Sequence, residues 1–305
     1  TRTRGLQAPY PSLDADIDAD VVVVGAGLAG SSLALHLSEA ACDVVVLEAR
    51  QPGWGASGRN AGHVLPTLRD TDLIKSFADG GAGFLEAFKE HHTIPFDLAK
   101  QYHIDCDASM DGYLTGATSQ KSFDQLVAQS KFWSGEQGQA VEFLDASAMK
   151  QETGSSYYTH GVKYNDGGRV NPYLFTNGMI TAAVEQFGLK VFGNSEVIAL
   201  NKDGSGWRVA TAQGSVRAAR VVFCTNAYPN QTVKQFTNNF YPLTAYALST
   251  KPLSPQQQKI IMPGKATFAQ YPLDLNPFIV DGAGRIITSL IPSANSAQDA
   301  TTYFK

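Results

Sequence analysis

Three glycines, Gly25, Gly27 and Gly30, and one carboxylate, Glu48, carry the clearest chemistry in the chain. The glycines spell GxGxxG directly behind a run of four valines, Val21 to Val24, and Leu28 and Ala29 begin a stretch with the composition of a helix. In that setting the first glycine permits a tight turn, the second lets a pyrophosphate approach the backbone, and the third allows helix and strand to touch. Phosphate charge then meets a helix N-terminus, where free N–H groups and the macrodipole favour an anion. Glu48 follows Gly30 by 18 residues, where a carboxylate accepts hydrogen bonds from ribose hydroxyls. It would repel a 2′-phosphate, which disfavours NADP, although Arg50 nearby keeps that discrimination incomplete. The pattern predicts a dinucleotide site and leaves NAD and FAD open, because both present ADP to the same fold.

The segment Gly53 to Gly62 (GWGASGRNAG) places four glycines in ten residues. It starts just beyond the second predicted strand, on the side where open α/β sheets bind ligands, so it is expected to lie along the ligand rather than to be a plain surface loop. His63 comes immediately after it and is the one histidine of six placed to stand near a reacting group. His91 and His92 are adjacent, cannot face one metal from a helix, and read as surface residues. Arg59 either attracts a substrate carboxylate or pairs with an acid, the second being favoured. The three cysteines, Cys42, Cys106 and Cys224, form no CxxC and no cluster with metal-ligand spacing, so no metal is expected and a reducing compartment is the simplest setting. Asp105 and Asp107 flank Cys106 and would raise its thiol pKa, which makes it a packing residue. Tyr241, Tyr246, Phe268 and Tyr271 read first as strand core and second as a pocket lining.

The elements that must position these residues are also legible. An apolar run covered on both faces suits Val21 to Val24 and Val44 to Leu47, with a helix from Leu28 to about Ala40 completing a βαβ unit. An amphipathic helix is expected over Ser119 to Ser134, buried through Phe123, Leu126, Val127 and Phe132. Asn171 and Pro172 start another helix that Gly188 stops. Short strands and turns follow to Cys224, and a hairpin turns at Asp281 to Gly284. The alternating Asp14, Asp16, Asp18 and Asp20 read as a solvated lead-in. With 305 residues the chain has room for two cores, and 24 basic against 28 acidic side chains give a formal charge of −4. No basic field therefore draws in nucleic acid or anionic lipid. No long apolar run and no apolar leader are present, so neither export nor a membrane span is expected and the location is read as cytoplasmic.

Taken in order, Gly25 to Gly30, Glu48 to Arg50 and Gly53 to His63 resemble the FAD-dependent D-amino-acid-oxidase and glycine-oxidase superfamily. Within it the likeness is to γ-glutamylputrescine oxidoreductase-type amine oxidoreductases. Tyr102 to Asp107 (YHIDCD), Gly167 to Pro172 (GGRVNP) and Thr225 to Tyr228 (TNAY) are similar to stretches at matching places there. The resemblance implies an α/β (α+β) fold: a Rossmann-like FAD-binding domain of glutathione-reductase type, at 1–95 and 171–238, with a mainly antiparallel substrate domain at 96–170 and 239–305. It implies FAD as cofactor. Gly25, Gly27, Leu28, Ala29 and Gly30 would hold the diphosphate turn, and Glu48, Ala49 and Arg50 the adenosine. Gly55, Ala56, Ser57, Gly58, Asn60, Ala61, Gly62 and His63 would run along the diphosphate and flavin. Val197 would meet the adenine, and Thr225, Asn226 and Ala227 would border the ADP.

The implied activity is oxidation of the CH–NH bond of a small-molecule amine or amino acid by hydride transfer, yielding an imine that water hydrolyses. No acid or base is strictly required, and His63 is the candidate beside the ring. The amine and the electron acceptor stay open. Ala41 and Ala61 depart from the family by standing where glycines are common, so the end of the first helix is expected to be built differently. Family members also continue past the last hairpin, so the chain reads as C-terminally incomplete. Two other readings compete: a non-catalytic dinucleotide-binding protein lacking the C-terminal lid, and an NAD-dependent dehydrogenase on the same βαβ unit.

Overall fold

The computed structural model describes residues 8–68, 71–136, 138–228, 245–272 and 275–290. Tyr241 and the chain's last residues lie outside them. In chain order the elements begin with β1 (Asp16–Val24), α1 (Leu28–Glu39) and β2 (Val44–Leu47). Next come β3 (His63–Val64), α2 (Thr71–Lys75), α3 (Ala82–His91), α4 (Ile94–Gln101), β4 (Tyr113–Ala117) and α5 (Gln120–Lys131). β5 (Val141–Leu144), α6 (Ala146–Thr153), β6 (His160–Tyr164), β7 (Gly168–Arg169) and α7 (Pro172–Phe187) follow. The remainder is β8 (Lys190–Phe192), β9 (Ala199–Asp203), β10 (Gly206–Ala210), β11 (Ser215–Phe223), β12 (Tyr246–Ser249), α8 (Pro255–Gln258), β13 (Thr267–Gln270), β14 (Leu275–Val280) and β15 (Ile286–Leu290). Among the described residues no helix is long and apolar enough to cross a membrane.

These elements divide between two compact units. The first holds Thr1–Asn60, Gln101–Cys106 and Pro172–Leu243; the second holds Ala61–Lys100, Asp107–Asn171 and Thr244–Lys305. The boundaries differ from those implied by the resemblance in placing residues 101–106 with the first unit and residues 61–95 with the second. The reason is local: β3 pairs with β7, and Phe88 of α3 packs on Trp133 with ring centres 5.2 Å apart.

In the first unit the sheet runs β8-β2-β1-β11-β10-β9, parallel from β8 to β11 and antiparallel beyond. All four valines of β1 and all four residues of β2 are buried, which is why these strands show no polar alternation. α1 packs on β1, β2 and α7. β1 starts earlier than its valines. Asp16 and Asp18, expected in a solvated lead-in, already pair with β11, where Ser215 Oγ donates to Asp16 at 2.8 Å and Arg217 Nε to Asp18 at 2.8 Å. Ala41 also departs from expectation. It adopts the left-handed conformation that glycine would (φ 60°), its N–H bonding Ser38 O while Cys42 N–H bonds Leu37 O, at a strain of about 1 kcal/mol.

The second unit is built on a seven-stranded sheet, β12-β15-β14-β13-β4-β6-β5, antiparallel except where β13 runs parallel to β4. Neighbouring residues of β4 point to opposite faces. Tyr113 accordingly joins a core with Leu126 and Trp133, and Leu114 one with Met149 and Phe268. Phe268 is thus plain core. The expected helix over 119–134 is α5, capped by Ser119 and continued by a π-helical turn at Phe132–Glu136 that buries Trp133 completely.

Candidate functional site: a nucleotide groove in the first unit

The turn from β1 into α1 is fixed by close contacts. Gly25 has a φ of 98°, and a Cβ on Gly30 would collide with the Gly25 carbonyl oxygen. Gly27 is the N-cap of α1 and brings no side-chain acceptor to the first turn. Ser57 supplies one from the glycine-rich loop, its Oγ accepting from the Leu28 N–H at 2.9 Å. The other first-turn N–H groups have no acceptor within the helix, which is the arrangement that attracts an anion.

Glu48 is fastened at both oxygens. Its Oε2 accepts from the Ala26 N–H at 2.8 Å and its Oε1 from the Arg50 N–H at 2.9 Å. A carboxylate has about four acceptor positions, so two backbone bonds orient it and leave room for two hydroxyl donors.

Together these parts wall a groove of about 290 Å³. Of the residues expected at the site, Gly25, Gly27, Glu48, Ala49, Arg50, Gly55, Ala56, Ser57, Val197, Thr225 and Asn226 line it. Leu28, Ala29 and Gly30 sit behind the turn in α1, and Ala227 is not in the wall. Asn60 acts as a brace, its Nδ2 donating to Ser57 O at 2.9 Å and Ala56 O at 3.3 Å. Ala61, Gly62 and His63 belong to the second unit.

Sequence reasoning missed much of the rim. Trp54 lines the groove and is exposed, with the guanidinium carbons of Arg59 and Arg50 at 4.3 and 5.5 Å from its ring centre. Arg59 therefore stacks on an indole, and among the described residues it makes no ion pair with the expected acid. Such a contact contributes about 0.5–1 kcal/mol at an exposed site and holds positive charge at the edge of the groove. Tyr228 forms part of the wall, its ring lying where a Cβ on Gly55 would be 3.4 Å away. The tryptophan between two glycines was the available signal. Cys224 also lines the wall, with its thiol pKa pushed up by burial, which keeps it unreactive.

A helix N-terminus, a fastened carboxylate and two guanidinium groups make a cradle for ADP, which several cofactors contain. Comparison with known proteins decides among them: the FAD dependent oxidoreductase family matches residues 20–288 of the chain. The chain belongs to that family. It is 34% identical over 260 residues to gamma-glutamylputrescine oxidoreductase of Escherichia coli, a match covering 84% of this chain and 60% of that protein. The match thus spans about 60% of that relative's length. In fold the chain is similar to glycine oxidase from Bacillus cereus, with TM-score 0.70 and 17% identity over 90% of this chain and 71% of that one. It is likewise similar to L-proline dehydrogenase from P. horikoshii, with TM-score 0.70 and 16% identity over 97% and 77%.

Membership in an FAD-dependent oxidoreductase family sets aside the nicotinamide alternative. The groove fits the adenylate half of FAD on its own geometry. Gly27 lines it without a side chain, where a Cβ would come within 2.7 Å of Ser57 Oγ, so backbone and hydroxyl stand open together.

In the second unit His63 lies on β3 with both ring nitrogens shut off from solvent and without a hydrogen-bond partner among the described residues. Tyr113 meets it edge-on at 6.4 Å between ring centres. Burial lowers the imidazole pKa from 6.5 to about 4. Between those values the unfolded chain binds the proton and the folded protein does not, so stability falls as pH drops through that window and levels off below it. The loss is expected to reach about 3 kcal/mol. Denaturant titrations at pH 7 and pH 4 on the wild type and His63→Asn check this, and identical pH dependence in the two proteins would refute it. His92, expected at the surface, is partly buried, its Nδ1 3.0 Å from Lys89 O and its Nε2 3.5 Å from an Asp166 oxygen. His91 is exposed.

Proposed function

We propose that this protein oxidises the CH–NH bond of a small amine or amino acid with FAD as the acceptor of the electron pair. The observation that carries the reading is the groove of the first unit, walled by the β1–α1 turn and Glu48, in a chain of the FAD-dependent oxidoreductase family. Support for the bond class comes from the names of relatives and fold neighbours, among them gamma-glutamylputrescine oxidoreductase, glycine oxidase and L-proline dehydrogenase.

When bound, FAD supplies the hydride-accepting chemistry. The chain's own residues do the holding. Glu48 receives the ribose hydroxyls, the first turn of α1 with Ser57 faces the diphosphate, Arg50 stands by the adenine half, and Val197 meets the adenine through its backbone. Thr225 and Asn226 close the opposite wall. The substrate's nitrogen lone pair assists departure of hydride from the adjacent carbon, and water converts the resulting imine to a carbonyl and an amine or ammonia. Three free cysteines fit a reducing, cytoplasmic location.

Anaerobic mixing of the protein with γ-glutamylated polyamines, D-amino acids, glycine and sarcosine tests the reading. Bleaching of the flavin band by at least one CH–NH donor is expected. A flavin that dithionite reduces but none of these donors does would reject the bond class, and a colourless protein that takes up no FAD would reject the cofactor assignment.

A further inference from the structure

Arg50 and Trp54 line the groove of the first unit from one turn of chain, and both side chains are exposed. Backbone bonds shape that turn, the Asn194 N–H donating to the Arg50 carbonyl at 2.6 Å and the Trp54 N–H to the Gln51 carbonyl at 3.0 Å. Gln51 stands between the two and does not line the groove. Its side chain reaches Tyr10 instead, 41 positions earlier. Oε1 accepts from the Tyr10 N–H at 2.9 Å, and Nε2 donates to the Tyr10 carbonyl at 3.2 Å. One amide thus bonds both backbone groups of a single residue, as an opposed residue in an antiparallel pair would.

The segment that Gln51 grips is itself fixed. Leu13 is buried in the core with Val45, Leu47 and Val197. Its N–H donates to Ser195 Oγ at 2.9 Å, and that hydroxyl donates to the Gly193 carbonyl at 3.0 Å. The Ser195 N–H donates in turn to the Glu48 carbonyl at 2.8 Å. Tyr10 to Leu13 therefore joins the loops after β2 and β8, which bring Glu48, Ala49 and Arg50 and then Glu196 and Val197 to the groove.

Gly193 explains how the amide finds room. Its φ lies outside the left-handed region, so backbone conformation does not require glycine there. Space does. A Cβ on Gly193 would collide with Gln51 Nε2 and stand 2.7 Å from Cδ and 2.8 Å from Oε1 of the same amide.

We infer that Gln51 and Gly193 are positioning residues of the groove: the amide ties the turn bearing Arg50 and Trp54 to the Tyr10–Leu13 segment, and the glycine leaves the space in which that amide lies. Neither residue lines the groove, yet together they set where two of its lining side chains stand. Side chains held in place beforehand lose less freedom when a ligand arrives. The inference rests on the reading of the groove as the adenylate site and adds the residues that hold its rim in register.

The test is calorimetry with ADP on the protein freed of flavin, at a temperature where circular dichroism shows every variant folded. Gln51→Ala removes the amide, whereas Gly193→Ala keeps it and pushes it off Tyr10. Each is expected to weaken ADP binding about tenfold, the scale of one or two lost hydrogen bonds. The double variant is expected to bind like Gln51→Ala alone, because the added methyl group then meets no amide. Inorganic pyrophosphate, which tests the first turn of α1 alone, should bind all four proteins equally. ADP affinity unchanged in either single variant, even with a lowered melting temperature, would overturn the inference by leaving the clamp a purely structural role. Losses that add in the double variant, or a matching loss of pyrophosphate, would overturn it as well. A wild type that binds no ADP would reject the adenylate reading of the groove, and the inference with it.

Discussion

Gly30→Ala is expected to destabilise the first unit by about 3 kcal/mol, the upper end of what an inserted methyl group costs in a packed interior, and to release FAD. The added Cβ would run into the Gly25 carbonyl oxygen, stand 3.0 Å from the Gly25 carbonyl carbon and 3.3 Å from Cys224 Cβ. Two of these three atoms are backbone, and Gly25 belongs to the turn itself, so no side-chain rotation relieves the clash. α1 must move away from β1, and the N–H groups proposed to face the diphosphate move with it. Gly135→Ala is the control, because a Cβ there meets nothing within 4 Å. Urea unfolding and the flavin content of the purified protein measure both effects. A Gly30→Ala protein with wild-type stability and full flavin content would show that close approach of helix and strand is not what shapes the groove.

The parts of the fold that were legible are those whose physics is local. β1 and β2 are covered on both faces, so each appears as an unbroken valine-rich run, and α7 announces itself through Asn171, Pro172 and Gly188. The ladder that carries His63 was invisible because it is two residues long and its partner, Gly168–Arg169, is more than a hundred positions away. Distance along the chain also hid the acidic start of β1. Asp18 finds Arg217 across 199 residues, and without that partner its alternating charges look solvated. Trp54 was overlooked for a different reason. In sequence it is one aromatic residue in a flexible-looking loop, whereas in space it gathers the guanidinium groups of Arg50 and Arg59. The groove's lining was readable because a turn, a helix start and a strand end impose fixed spacing on Gly25 to Glu48. Nothing in that spacing distinguishes one adenine dinucleotide from another; the ordered series of later motifs does.

Glu48→Gln is expected to weaken FAD binding by about a hundredfold, a figure that follows from losing one to two charge-assisted hydrogen bonds. The native carboxylate accepts on both oxygens from the N–H groups of Ala26 and Arg50, and an amide can accept on only one. Its NH₂ group must then face a backbone donor, which either tilts the side chain out of the groove or opens the turn. Both responses remove the acceptor positions offered to the ribose hydroxyls. Glu48→Ala should lose less structure, since the groove lets water reach the two N–H groups, yet it should bind FAD no better. Because Glu48 is assigned to the adenylate half, calorimetry with ADP as the ligand should show the same fold loss as with FAD. If either variant binds ADP like the wild type while losing FAD, Glu48 acts on some other part of the cofactor and the placement of the ribose beside it is wrong.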